Sequence, residues 1–195
     1  MTLWIKRSCA ALLLLPLALG AALGVAQAQL RGHGGPVRAL AISPDGKRAF
    51  SGSFDTSAIR WSLERNIAEQ VMRFHDGAVN AVVYLKDGRI ATAGEDVHIA
   101  IWTPGRPAPD TVLDGHGGPI AGLAVSADGA LLASASWDRS VRLWPLSGGA
   151  PRVLEGHTQN VNAVAFSPDG NSIVSAGYDA SLRIWPRNGG AEIAR

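Results

Sequence analysis

From Val37 onward, apolar residues gather in short runs separated by loops rich in Gly, Pro, Asp and Ser. Val161-Asn162-Ala163-Val164-Ala165-Phe166 is typical. It is too short for a stable helix, and turn chemistry follows at once, so it predicts a strand. The turns are Ser43-Pro44-Asp45-Gly46, Lys86-Asp87-Gly88, Ser126-Ala127-Asp128-Gly129 and Ser167-Pro168-Asp169-Gly170. Gly reaches positive φ without steric cost, and Pro pre-sets the turn position it occupies. A second strand follows (Leu131 to Ser134 in the third unit), then a tight turn and a third strand ending at a tryptophan. A Pro/Gly-rich loop then leads to an outer strand such as Arg152-Val153-Leu154. The first two strands of each unit are almost continuously apolar, which predicts burial on both faces, as in stacked sheets.

The unit repeats. His33, His75, His116 and His157 recur every 41 or 42 residues, and Trp61, Trp102, Trp144 and Trp185 keep the same period. A period of this length marks an array of one supersecondary unit. The units run over about residues 30–74, 75–114, 115–155 and 156–195. Each has a hydroxyl four residues before an aspartate and a tryptophan six residues after it. The pairs are Ser51 with Asp55, Thr92 with Asp96, Ser134 with Asp138 and Ser175 with Asp179.

At these positions the chain resembles the WD40 family of β-propellers, over residues 30 to 195. The resemblance rests on Gly-His, the Asp-Gly turn, the spaced Asp and the Trp, all recurring together. Two features depart from it. Ser62, Thr103, Pro145 and Pro186 follow the tryptophans, so no unit has a Trp-Asp pair, and the second unit has Phe74 where Gly is expected and is one residue shorter. The implied fold is all-β: four four-stranded antiparallel blades in a partial, open ring. The resemblance also implies a structural hydrogen-bond chain in each blade, from Trp to hydroxyl to His to Asp.

Ser, His and Asp are also the parts of a nucleophilic triad. Counting speaks against that use: an enzyme seldom needs four copies at a fixed period, whereas an array needs one fastening per unit. The histidines fall in different blades and lack metal-ligand spacing. His98 stands outside the pattern and reads as a partly exposed sheet residue. No cofactor or metal is expected.

Function should then lie on a surface. The residues just before the aspartates are Phe54, Glu95, Trp137 and Tyr178. Three aromatics of four are unusual in a tight turn, and aromatic anchors with polar tips suit interface hot spots. The resemblance implies that the start of each first strand shares this face, adding Arg38, Asn80, Ala121 and Asn162, with Pro36, Ala78, Pro119 and Asn160 two residues earlier. The expected ligand is a protein or peptide, held by Arg38, Phe54, Asn80, Glu95, Trp137, Asn162 and Tyr178.

Composition sets the context. Lys6 and Arg7, the apolar run that follows, and Ala26-Gln27-Ala28 describe a secretory signal peptide over residues 1–28, with an uncleaved membrane anchor as the competing reading. The leader holds the only cysteine, Cys9. It also accounts for the formal charge of +2, which falls to zero without it. A mature chain over 29–195 therefore has no cysteine chemistry, and no charge excess favouring nucleic acid. The expected setting is a bacterial periplasm, with no membrane contact once the leader is removed. The expected role is a non-enzymatic interaction scaffold. The alternative is the binding propeller of a larger exported enzyme or c-type cytochrome fusion.

The last repeat stops at GGAEIAR, partway through an expected outer strand, and Gln29-Leu30 resembles the strand that clasps a final blade. The first expectation is a longer reading frame. The second is a homodimer pairing two half-rings, and the third is a closed four-blade ring. Open edges would favour self-association.

Overall fold

A computed structural model describes residues 29–193; the proposed leader lies outside them. Among the described residues there are fifteen strands and no helix. The first sheet holds β1 (Val37–Ile42), β2 (Arg48–Ser53), β3 (Ser57–Ser62) and β4 (Ile67–Arg73). The second holds β5 (Val79–Tyr84), β6 (Ile90–Gly94), β7 (Ile99–Trp102) and β8 (Thr111–Leu113). The third holds β9 (Ile120–Val125), β10 (Leu131–Ser136), β11 (Ser140–Pro145) and β12 (Arg152–Glu155). The fourth holds β13 (Val161–Phe166), β14 (Ser172–Gly177) and β15 (Leu182–Pro186).

Every sheet is an up-and-down antiparallel meander in sequence order. Four strands were expected in each blade, and the fourth sheet has three among the described residues. Its outer edge is begun all the same: the Ile193 N–H donates to the Ile184 carbonyl at 2.7 Å, where an outer strand would pair.

The turn between the first two strands shows why its sequence recurs. Ser43 Oγ donates to Asp45 at 2.5 Å, the Lys47 N–H donates to the same carboxylate, and Gly46 takes φ +69. Ser126-Asp128-Gly129 and Ser167-Asp169-Gly170 repeat the arrangement. The shorter second unit has Leu85 in place of the serine, and that side chain is buried in the core instead.

The sheets stack in series through their faces, with β1 beside β5, β5 beside β9 and β9 beside β13. Phe50 and Met72 of the first sheet meet Val79, Ile90 and Trp102 of the second. Ile99 and Ile101 of the second meet Ile120, Leu132 and Trp144 of the third. Val141 and Leu143 of the third meet Val161, Ile173 and Trp185 of the fourth. Burial on both faces explains the continuous apolar runs of β6 and β10, which are buried throughout. A smaller cluster of Ala49, Ile59, Trp61 and Leu30 lies on the outer face of the first sheet. Leu30 belongs to no strand there, so the Gln29-Leu30 clasp forms no sheet pairing among the described residues.

The tetrads and the candidate binding face

In each unit the tryptophan ends the third strand, the hydroxyl sits mid-way along the second, and His and Asp lie in the flanking loops. The four groups meet in every sheet. Trp61 Nε1 donates to Ser51 Oγ at 2.7 Å, which lies 2.7 Å from His33 Nε2, and His33 Nδ1 lies 3.1 Å from Asp55. The second unit gives 3.0, 2.7 and 2.8 Å for Trp102, Thr92, His75 and Asp96. The third gives 2.8, 2.7 and 2.7 Å for Trp144, Ser134, His116 and Asp138. The fourth gives 2.9, 2.8 and 2.8 Å for Trp185, Ser175, His157 and Asp179.

The donor inventory orients the chain of bonds. An indole N–H can only donate, so the hydroxyl oxygen accepts and its single proton goes to His Nε2. Nε2 then accepts, and Nδ1–H donates to the carboxylate. The aspartates are correspondingly acidic. Burial pushes Asp55 up, but the Ser57 hydroxyl, the N–H groups of Gly34 and Ser57, and His33 together hold it well below the usual range. Burial also opposes ionisation of Asp138, and His116, Ser140 and the Gly117 N–H outweigh it. At Asp179 the Ser181 hydroxyl contributes most, against some burial and with help from the Thr158 N–H and His157. Asp96 is lowered too: burial opposes, while His75 and the N–H groups of His98 and Asp76 favour the anion.

A fifth member appears that the sequence reading missed. Ser57, Ser140 and Ser181 donate to the tetrad aspartates at 2.6, 2.7 and 2.7 Å. The available signal was a serine two residues after Asp in three of four units. In the second unit His98 takes that place and turns outward to Asp114, 2.6 Å away, so that beside His75 Asp96 has only backbone donors, at 3.3 and 3.4 Å. Between the aspartate and this fifth member, Thr56, Val97, Arg139 and Ala180 all hold positive φ.

The tetrad hydroxyls are buried, and Ser134 is 0 % exposed. A nucleophile must reach its substrate, and these oxygens are occupied by Trp and His and covered by core. Among the described residues no three His, Cys, Asp or Glu side chains gather as a metal site.

The turn residues behave differently. Phe54 is 47 % exposed, Trp137 36 % and Tyr178 63 %, and Glu95 is exposed as well. Their N–H groups donate to the carbonyls of Pro36, Ala78, Pro119 and Asn160, at 3.0, 3.0, 2.9 and 2.8 Å for residues 54, 95, 137 and 178. This bond ties each turn to the start of the first strand in all four blades. Arg38, Asn80, Ala121 and Asn162 are each the extra residue of a β-bulge, where the pairing of the first strand slips by one. A bulge bends the strand and re-aims one side chain. Arg38 thereby lies over the Phe54 ring at 5.6 Å, and Asn162 accepts from Trp137 Nε1 at 3.1 Å across the joint between the third and fourth sheets. Asn80 is buried, and its amide donates to the Ile120 carbonyl of the next sheet at 3.3 Å.

Four meanders in series, each fastened by the same tetrad, can now be set beside known proteins. The WD40 family, described as WD domain, G-beta repeat, matches residues 24–62, 108–145 and 149–186, more than half of the chain. The chain is a WD40 protein. It is 31 % identical over 128 residues to ribosome biogenesis protein YTM1 of Candida glabrata, a match covering 55 % of this chain and 28 % of that protein. It is 37 % identical over 70 residues to a guanine nucleotide-binding protein subunit beta of Schizosaccharomyces pombe, covering 36 % of this chain and 23 % of the relative. With cilia- and flagella-associated protein 52 of Chlamydomonas reinhardtii it shares 31 % over 120 residues, covering 60 % and 19 %. The chain thus spans less than a third of the length of each of these three relatives.

The second WD40 blade falls outside the family matches, although its tetrad is intact. Its departures compensate one another. A Cβ on Gly115 would come within 2.8 Å of Arg142, and one on Gly156 within 2.8 Å of Arg183. The residue matching those arginines in the second blade is Ala100, whose short side chain leaves space for Phe74. That ring stands edge-on to Trp102 at 6.3 Å and to His75 at 5.4 Å.

Proposed function

We propose that this WD40 chain is a non-enzymatic binding module that receives a protein or peptide partner on the face bearing Phe54, Glu95, Trp137 and Tyr178. The exposed rings of Phe54, Trp137 and Tyr178 carry this reading. Rigid aromatic side chains lose little entropy on binding and bury much apolar area, which suits interface anchors. Two of the three rings are already held: Arg38 covers Phe54 and Asn162 grips Trp137. Such preorganisation lowers the ordering cost of association. Asn80, spent on the joint between the second and third sheets, supports the face from beneath. Burial of the tetrad hydroxyls supports the non-enzymatic part. One relative is named as a subunit of a guanine nucleotide-binding protein, in keeping with work inside a protein assembly.

The exported, bacterial cell-envelope setting rests on the leader: Lys6-Arg7, the apolar run and Ala26-Gln27-Ala28. N-terminal sequencing of the exported product should begin at Gln29, and an intact Met1 would refute cleavage. The binding face is tested with a photo-crosslinking phenylalanine analogue placed at position 178 and, separately, at Leu63 in the loop after Trp61. Adducts with an envelope protein are expected from position 178 alone. Equal adducts from both positions would remove the face from the mechanism.

A further inference from the structure

The joint between the first and second blades differs in chemistry from the two that follow it. At the second joint Ile101, just before Trp102, is buried in one cluster with Val125 at the end of β9. At the third, Leu143, just before Trp144, is buried in one cluster with Phe166 at the end of β13. At the first joint these two positions are Arg60 and Tyr84. Where the later joints close with apolar contact, this one holds a cavity of about 320 Å³, whose lining includes Pro44, Arg48, Arg60, Tyr84 and Pro104. It lies at the end of the blades that carries the Asp-Gly turns, opposite the turns bearing Phe54, Trp137 and Tyr178.

The lining is cationic. Glu69 accepts from Nε and Nη2 of Arg60, both at 2.8 Å, from Nε of Arg48 at 3.2 Å and from Nη2 of Arg65 at 2.5 Å. Arg48 Nη1 also lies 3.7 Å from Asp45. Three guanidinium groups against two carboxylates leave one positive charge, while Lys47 with Glu64 and Arg89 with Asp87 cancel beside them. Tyr84 Oη is buried and has no hydrogen-bond partner among the described residues. Burial pushes its pKa up, with Arg60 and Arg48 opposing, so the phenol keeps its proton at neutral pH and can donate. A buried hydroxyl is costly to leave unpaired, and a mostly apolar cavity of this volume with a few convergent polar groups suits a small ligand. We propose that this joint binds a carboxylate on an apolar stem, the stem lying against Pro44, Pro104 and the Tyr84 ring, and the carboxylate accepting from Tyr84 Oη and from the edge of Arg60 that Glu69 leaves free. One negative charge matches the surplus of the site, whereas a phosphate dianion exceeds it beside Glu69 and Asp45. The site stands apart from the partner-binding face and does not rest on it.

Benzoate is the probe, titrated by calorimetry and by nuclear magnetic resonance of the tyrosine rings, of which the chain has 2. One molecule per chain should bind and shift the Tyr84 signals, while benzyl alcohol, similar in shape but uncharged, should bind at least about tenfold more weakly. Tyr84→Phe removes only the unpaired hydroxyl, so benzoate affinity should fall about fivefold while the urea midpoint holds or rises. Arg60→Leu copies the third blade, leaves Glu69 with Arg48 and Arg65, and should abolish binding with an unchanged circular-dichroism spectrum. Acetyl-glycyl-phenylalanine separates the sources of the carboxylate: binding tighter than benzoate assigns a peptide chain end, weaker binding a free acid, and its amide should not bind in either case. Absence of benzoate binding up to about 10 mM, equal affinity for benzyl alcohol, or affinity unchanged in both variants overturns the site. Phenyl phosphate binding more tightly than benzoate overturns the assignment to a single charge.

Discussion

Replacing Ser134 by alanine removes one oxygen and two buried hydrogen bonds. Trp144 Nε1 donates to that oxygen at 2.8 Å, and His116 Nε2 accepts from it at 2.7 Å. Both partners stay behind without water. The His116 side chain is fully buried and Trp144 nearly so. A buried polar group left unpaired costs roughly 1–3 kcal/mol, so two orphans predict a loss of about 2–4 kcal/mol. Domains are stable by only about 5–15 kcal/mol, so the urea midpoint should move visibly. The Ser134→Ala/Trp144→Phe double variant sharpens the test. With the indole N–H gone as well, only the imidazole is orphaned, and the double should cost less than the two singles together by about 1–2 kcal/mol. Equilibrium urea unfolding followed by far-ultraviolet circular dichroism reads all three variants. A loss below about 0.5 kcal/mol for Ser134→Ala, or strict additivity in the cycle, would refute the lock.

Three further outcomes follow from the geometry. His98→Ser should give Asp96 the hydroxyl donor its counterparts have, raising stability by about 1 kcal/mol, because the exposed His98–Asp114 contact it sacrifices contributes little; a lower urea midpoint would contradict this. Val97→Asn should also stabilise, by about 1 kcal/mol, because a β-branched residue is strained at the φ of +66 found there while Asn tolerates it; an unchanged melting temperature would contradict this. Asp55, Asp96, Asp138 and Asp179 are all held below the usual carboxylate range. Below about pH 4 the unfolded chain therefore binds more protons than the folded one, and stability should fall as pH drops through the lower folded values. Asp138→Asn should flatten part of that slope in urea midpoints taken from pH 5 to pH 2.5, and a wild-type midpoint constant over that range would contradict the assignment.

The legible part of this protein is what repeats in residue type. The tryptophan, hydroxyl, histidine and aspartate keep their spacing because each must reach the others through fixed strand geometry, and the structure brings all sixteen within hydrogen-bond range. Backbone conformation left weaker traces. The bulges at Arg38, Asn80, Ala121 and Asn162 slip the register by one without any common side chain. Positive φ at Thr56, Val97, Arg139 and Ala180 falls on residues whose types give no hint of it. Asn80 and Asn162 look alike in the chain, yet one is buried under the neighbouring sheet and the other steadies an exposed indole. Phe74 reads as a lost glycine until Ala100 is placed opposite it, a pairing that only three-dimensional proximity reveals.

Fastening and recognition are assigned to different residues, and they should separate in one experiment. Phe54, Trp137 and Tyr178 are changed together to alanine, and capture of the crosslinked partner is measured beside the thermal melt of the same preparation. Capture should disappear while the melting temperature stays within about 3 °C of the wild type, as expected where little buried contact is removed. Undiminished capture, or a melt lowered as far as that of Ser134→Ala, would show that these rings belong to the scaffold and not to the partner.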